Sequence, residues 1–174
     1  MRSLGPVLHA AALSLALAAP SALAQNTERE DARAIQGMIQ ANLAEVEAGK
    51  LASQKAQKPE VKKFAEKMVE DHGKKLEDLK SLAEKKGVAA PDKPSDKQQA
   101  MLKKLQAASG GEFDRVYMSE MVQAHSQVLQ DTRKVAGEAK DADLKAAAQK
   151  SAPGTEEHLK MARELAGATG AKSK

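Results

Sequence analysis

The 174-residue sequence has no cysteine, which excludes disulfides, a cysteine nucleophile and a lipid-anchor cysteine. It has no tryptophan, one tyrosine and two phenylalanines, so little is available for stacking on nucleobases. Basic residues outnumber acidic ones only slightly, 28 to 24. Their signs alternate along the chain instead of gathering into a basic face, which argues against a nucleic-acid partner. β-Branched residues are few and nothing alternates with period two, which leaves no basis for a sheet. A Gly-rich phosphate loop and a Ser/His/Asp arrangement are both missing, so no positive sign of catalysis is present.

Long apolar runs are missing too, except at the N-terminus. Arg2 precedes an apolar run from Leu4 to Ala19, and Ala22-Leu23-Ala24 before Gln25 is an A-x-A cleavage site. Pro6 and Pro20 bracket the run, which is short for a transmembrane span. Residues 1–24 are therefore read as a signal peptide, and the expected location is the periplasm, free or peripheral to the outer membrane. The expected mature chain has 150 residues (174 − 24), with 27 basic side chains (28 less Arg2) against 24 acidic ones. That length suits one domain, read as a helical bundle over 25–168 with a flexible tail over 169–174. A monomer or weak homo-oligomer with an envelope protein partner is the expected assembly.

Ala, Lys, Glu, Leu and Gln dominate the remainder, and their spacing is helical. The expected class is all-α, a four-helix bundle. The first long helix should run from an N-cap at Thr27 to about Gln57, with Ile35, Ile39, Asn42, Val46, Gly49, Ser53 and Ala56 inward. Lys58-Pro59 breaks the chain and opens a second helix, which ends in Lys85, Lys86 and Gly87. The segment from Gly87 to Gly111 is then a crossover holding a short helix capped by Ser95 and stopped by Gly110-Gly111. The third long helix should span Glu112 to Glu138, with Phe113, Tyr117, Met121, Ala124, Val128, Thr132 and Val135 inward. The fourth should follow Lys140-Asp141, with Pro153 kinking it.

Outside the leader there are three histidines, His72, His125 and His158, each on or near the apolar seam of a different long helix. On the second helix His72 fills a step of the stripe Val61, Ala65, Met68, Leu76, Leu79 and Ala83. Counted from the turns at about 1.5 Å per residue, all three fall near mid-bundle, and Glu45 shares the layer. Imidazoles are common ligands for Zn, Cu and Fe, and three with a carboxylate would form a transition-metal site. The candidate ligands are Glu45, His72, His125 and His158. Asn42, Asp71, Thr155 and Glu157 are candidate groups behind them, hydrogen-bonding ring nitrogens or lying at the surface. A packing layer satisfied by Asn42, Ser53, Ser151 and Thr155 is the competing reading. A mononuclear metal enzyme would further need an open coordination position and a cleft. The Glu-x-x-His pattern of di-iron bundles does not occur, since Val69 and Thr155 stand three residues before His72 and His158. The methionines match core filling better than a copper box.

The stretches AEVEAGKLASQKAQKPEVKKFAEKMVEDHGK from Ala44, FDRVYMSEMVQAH from Phe113 and EEHLKMA from Glu156 together resemble a bacterial family of exported ferritin-like bundles. This is the domain-of-unknown-function family numbered four-one-four-two, whose members are labelled predicted outer-membrane proteins. The resemblance implies a ferritin-like four-helix domain with a crossover between helices two and three, and it points to Glu45, His72, His125 and His158 as a central site. It implies no activity.

Overall fold

The computed structural model describes residues 22–171. Most of the expected signal peptide and the end of the expected tail lie outside these. Five helices follow one another: α1 (Ala22–Lys55), α2 (Pro59–Lys85), α3 (Asp96–Ala107), α4 (Gly110–Glu138) and α5 (Ala142–Thr169). Hairpins α1–α2 and α4–α5 make the most extensive packing, α2 packs on α5, and α3 lies across α1 and α4. Among the described residues no helix is long and apolar enough to cross a membrane.

The junctions follow local chemistry. Pro59 stands at the first turn of α2, behind an extended Lys58. Gly87 takes φ 64° and Val88 N–H returns to the Ala83 carbonyl, closing α2 in the left-handed manner that favours glycine. Ser95 and Gln98 form a reciprocal capping box on α3, and Asp141 caps α5 by accepting from Leu144 N–H.

Several boundaries differ from the sequence reading. Thr27 lies inside α1 instead of capping it. Gly110 and Gly111 begin α4, because α3 has already ended at Ala107. α5, with Pro153 inside it as expected, extends through Gly167 to Thr169, where Gly170 ends it at φ 71° and Ala171 N–H bonds the Ala166 carbonyl. The expected tail therefore begins with helix.

Two inward faces also rotate. On α1 the fully buried residues after Asn42 are Ala44, Glu45, Ala48, Gly49 and Ala52, while Val46 and Ser53 are only half-buried. α1 is pressed on one flank by α2, where a Cβ on Gly49 would fall 2.8 Å from Val69 Cγ2, and on another by α3 and α4. On α4 the buried seam runs through Met121, Val122, His125 and Leu129, toward α5, and leaves Ala124, Val128 and Val135 half-buried.

The core is divided. One apolar cluster gathers Ala52, Phe64, Leu105, Phe113, Tyr117 and Ala162, and a smaller one at the other end gathers Ile35, Ile39, Leu79, Ala83 and Leu144. A buried polar layer separates them along every long helix, made of Asn42, Glu45, His72, His125, Thr155 and His158.

Candidate metal centre

His72, His125 and His158 are each no more than 3% exposed. One nitrogen from each ring lies within 4.8 Å of one from both others, and the ring centroids are 5.5, 5.3 and 5.5 Å apart. Three imidazoles bound to one ion through bonds near 2.1 Å would have centroids about 5 to 5.5 Å apart.

The hydrogen bonds fix the ring protons. Asn42 Nδ2 donates to the Met38 carbonyl at 2.7 Å, so its Oδ1 faces His72 Nδ1 at 2.9 Å and accepts from it. His125 Nδ1 donates to the Met121 carbonyl, one turn back on its own helix, at 3.0 Å. His158 Nε2 donates to Asp71 Oδ2 at 2.9 Å. Each partner can only accept at the bonded atom, so each ring holds its proton on that side. The remaining nitrogens, His72 Nε2, His125 Nε2 and His158 Nδ1, are buried lone pairs with no hydrogen-bond partner among the described residues. Clustered imidazoles each oriented by an acceptor behind the ring are the arrangement found in metal sites.

The charges agree with neutral rings at His72 and His158. Burial, and then the neighbouring His125, Lys75 and His158, hold His72 well below the usual histidine value. Burial likewise takes His158 down to about 4, although its bond to Asp71 works the other way. For Asp71 burial is outweighed by the hydrogen bonds from Lys67 and His158, so its carboxyl falls below the usual range.

The other residues named from sequence are placed as follows. Glu45 is 4% exposed and is not among the groups whose ligand atoms meet within 4.8 Å. Its Oε1 lies 3.7 Å from His125 Nδ1, on the ring edge already bonded to Met121, and its Oε2 has no hydrogen-bond partner among the described residues. Burial pushes its carboxyl above the usual range, against the pull of His125 and Lys75. The rotation of α1 has thus brought Glu45 fully inside without joining it to the triad. Thr155 donates to the Ser151 carbonyl and not to a ring. Glu157 is exposed.

Three groups were missed from sequence. The Met121 carbonyl that orients His125 leaves no side-chain signal. The Lys75 ammonium and the Tyr117 hydroxyl are buried without hydrogen-bond partners among the described residues. Burial lowers the first and strongly raises the second. Lys75 stands three residues past His72, a spacing that could have marked it.

No curated protein matches this chain. Solved structures share its fold at low identity. A DUF305 fragment from Deinococcus radiodurans has TM-score 0.70 and 11% identity over 79% of this chain and 95% of its own. A DUF305 protein from Streptomyces coelicolor has 0.70 and 15% over 83% and 96%. CopM in the Cu(I)-bound form has 0.65 and 19% over 77% and 93%. The model of the domain of unknown function DUF4142 matches residues 16–165, nearly the whole bundle that carries the three histidines, and the chain belongs to that family.

Proposed function

We propose that the protein binds one transition-metal ion through His72 Nε2, His125 Nε2 and His158 Nδ1, and serves metal handling in the bacterial envelope. The observation that carries this reading is the pairing of each ring's held nitrogen with a buried, unpartnered one in the same layer. A buried acceptor without a partner costs about 1 to 3 kcal/mol, and a bound cation relieves three together.

The donor set suits Zn, Cu and Fe. Copper ranks first of these, because a protein of the same fold, CopM, is known in Cu(I)- and Cu(II)-bound forms. Asp71, with Asn42 and the Met121 carbonyl, would hold the rings in register, and Glu45 stays outside the ligand set. Export rests on the leader ending at Ala24.

The test is metal content by mass spectrometry on protein purified without a His tag, after separate exposure to Zn, Cu and Fe and desalting. One equivalent retained by the wild type and lost in His72→Ala is the expected result. No retained metal would assign the layer to packing alone, in a structural or protein-interaction bundle.

A further inference from the structure

A cation stands inside the polar layer. Lys75 as a whole is half-buried, yet its Nζ is covered and has no hydrogen-bond partner among the described residues. A surface lysine does the reverse, laying its stem on apolar surface and keeping the ammonium in water. Lys75 stands three residues past His72 on α2, and helical side chains lean toward the N-terminus of their helix, so it reaches back beside that ring. Its Nζ lies 3.6 Å from the point where a Cβ on Gly154 would sit, and Gly154 is one turn before His158 on α5. The ammonium is thus lodged between α2 and α5, a turn away from two of the three histidines, and the glycine opposite leaves it room.

Carboxylates hold the charge there without bonding it. Burial lowers the basicity of Lys75, and Asp71 and then Glu45 work the other way. Asp71 already serves Lys67 and His158. The positive charge of Lys75 acts on both His72 and His158. Imidazoles ligate as neutral bases, and Glu45 is not among the groups whose ligand atoms meet. An ion in the triad would therefore face a fixed like charge with no anionic ligand to offset it.

That repulsion grows in proportion to the ion's charge and is strong where water is excluded. We propose that Lys75 sets the charge of the ion this site accepts, favouring a monovalent ion over divalent ones. Among the metals that imidazole suits, copper is the one used as a monovalent ion, so the selected state is Cu(I). This rests on the metal reading of the triad and adds the residue that discriminates between ions.

The test compares the wild type with Lys75→Met, which keeps the length and drops the charge, and Lys75→Arg, which keeps the charge. Cu(I) affinity is read by competition with bicinchoninate under ascorbate without oxygen, Cu(II) affinity by competition with a chromophoric chelator, and the copper reduction potential by voltammetry. Lys75→Met should tighten Cu(II) at least tenfold more than Cu(I), lowering the potential by at least about 59 mV, the equivalent of tenfold for one electron. Lys75→Arg should stay closer to the wild type. A side chain that only packs would change both affinities alike, so an unmoved potential in Lys75→Met overturns the proposal, as does an equal fall in Lys75→Arg. The wild type, given equimolar Cu(I) and Zn(II) under ascorbate, should retain Cu(I) by mass spectrometry. Preferential retention of Zn(II) overturns the proposal even if Lys75→Met fails to fold. A wild type that keeps neither metal would instead overturn the metal reading, and this inference with it.

Discussion

Each histidine of the central layer has one nitrogen held and one free, and single substitutions should read differently on the two sides. Asp71 touches only the held side of His158. Asp71→Ala should therefore leave one metal equivalent per chain but weaken its affinity about 10- to 100-fold, as measured by competition with a chromophoric chelator. The same neutral rings give the metal-free protein an acid sensitivity. His158 titrates at about 4 when folded, against 6.5 ordinarily, and His72 is displaced in the same direction. Below pH 6.5 the unfolded chain takes up protons that the folded chain refuses, so this stability is complete above 6.5 and is lost as pH falls toward 4. Glu45, raised by burial, acts in the opposite sense, weakening the fold as pH rises through its own titration. With two histidines against one carboxyl, melting temperature in chelator should fall steadily from pH 7 to pH 5, and a flat profile would contradict neutral buried rings.

Between elements, two contacts set how the helices stand. Gly49 lets α1 approach α2 so closely that a Cβ would meet Val69 Cγ2 at 2.8 Å and the Ala65 carbonyl at 2.9 Å. A backbone carbonyl cannot step aside, so Gly49→Ala should force the hairpin apart and destabilise by about 1 to 3 kcal/mol in urea unfolding. Asp114, 1% exposed on α4, accepts from the Gln57 and Lys58 N–H groups at 2.9 Å each and ties the α1–α2 turn to the second hairpin. Asp114→Ala removes both charge-assisted hydrogen bonds to this turn and should cost about 1 to 3 kcal/mol. The sequence made Gly49 legible as a small residue facing inward, and it made the three histidines legible because each stands alone on its helix at a countable height. Asp114 was not legible, since an acid beside Phe113 reads as surface until the turn it holds is placed against it. The inward arcs of α1 and α4 were also misjudged, by roughly one residue, because each helix meets neighbours of unequal reach. That small rotation buried Glu45 and left Ala124 and Val128 half-buried.

Across the whole molecule, two apolar clusters are joined through a polar layer, so the layer either limits stability or is completed by a ligand. A metal that binds only the folded chain adds about 2.7 kcal/mol at a free concentration 100 times its Kd. For a domain of this size that raises the melting temperature by about 5 to 10 °C. The purpose of the layer is best separated by replacing all three rings at once. In His72→Leu, His125→Leu, His158→Leu the three nitrogens unpartnered among the described residues disappear, each having cost about 1 to 3 kcal/mol, while one acceptor, Asn42 Oδ1, loses its donor and Asp71 keeps Lys67. The net should be a more stable metal-free protein, by about 1 to 3 kcal/mol, that no longer retains metal and no longer gains from it. A layer kept only to specify packing predicts the reverse, because leucines there would join the two clusters into one core with several competing arrangements. Melting in chelator together with the dispersion of amide NMR signals distinguishes the two. A triple variant with a lower melting temperature and collapsed dispersion would show that the histidines hold the bundle in register for its own sake.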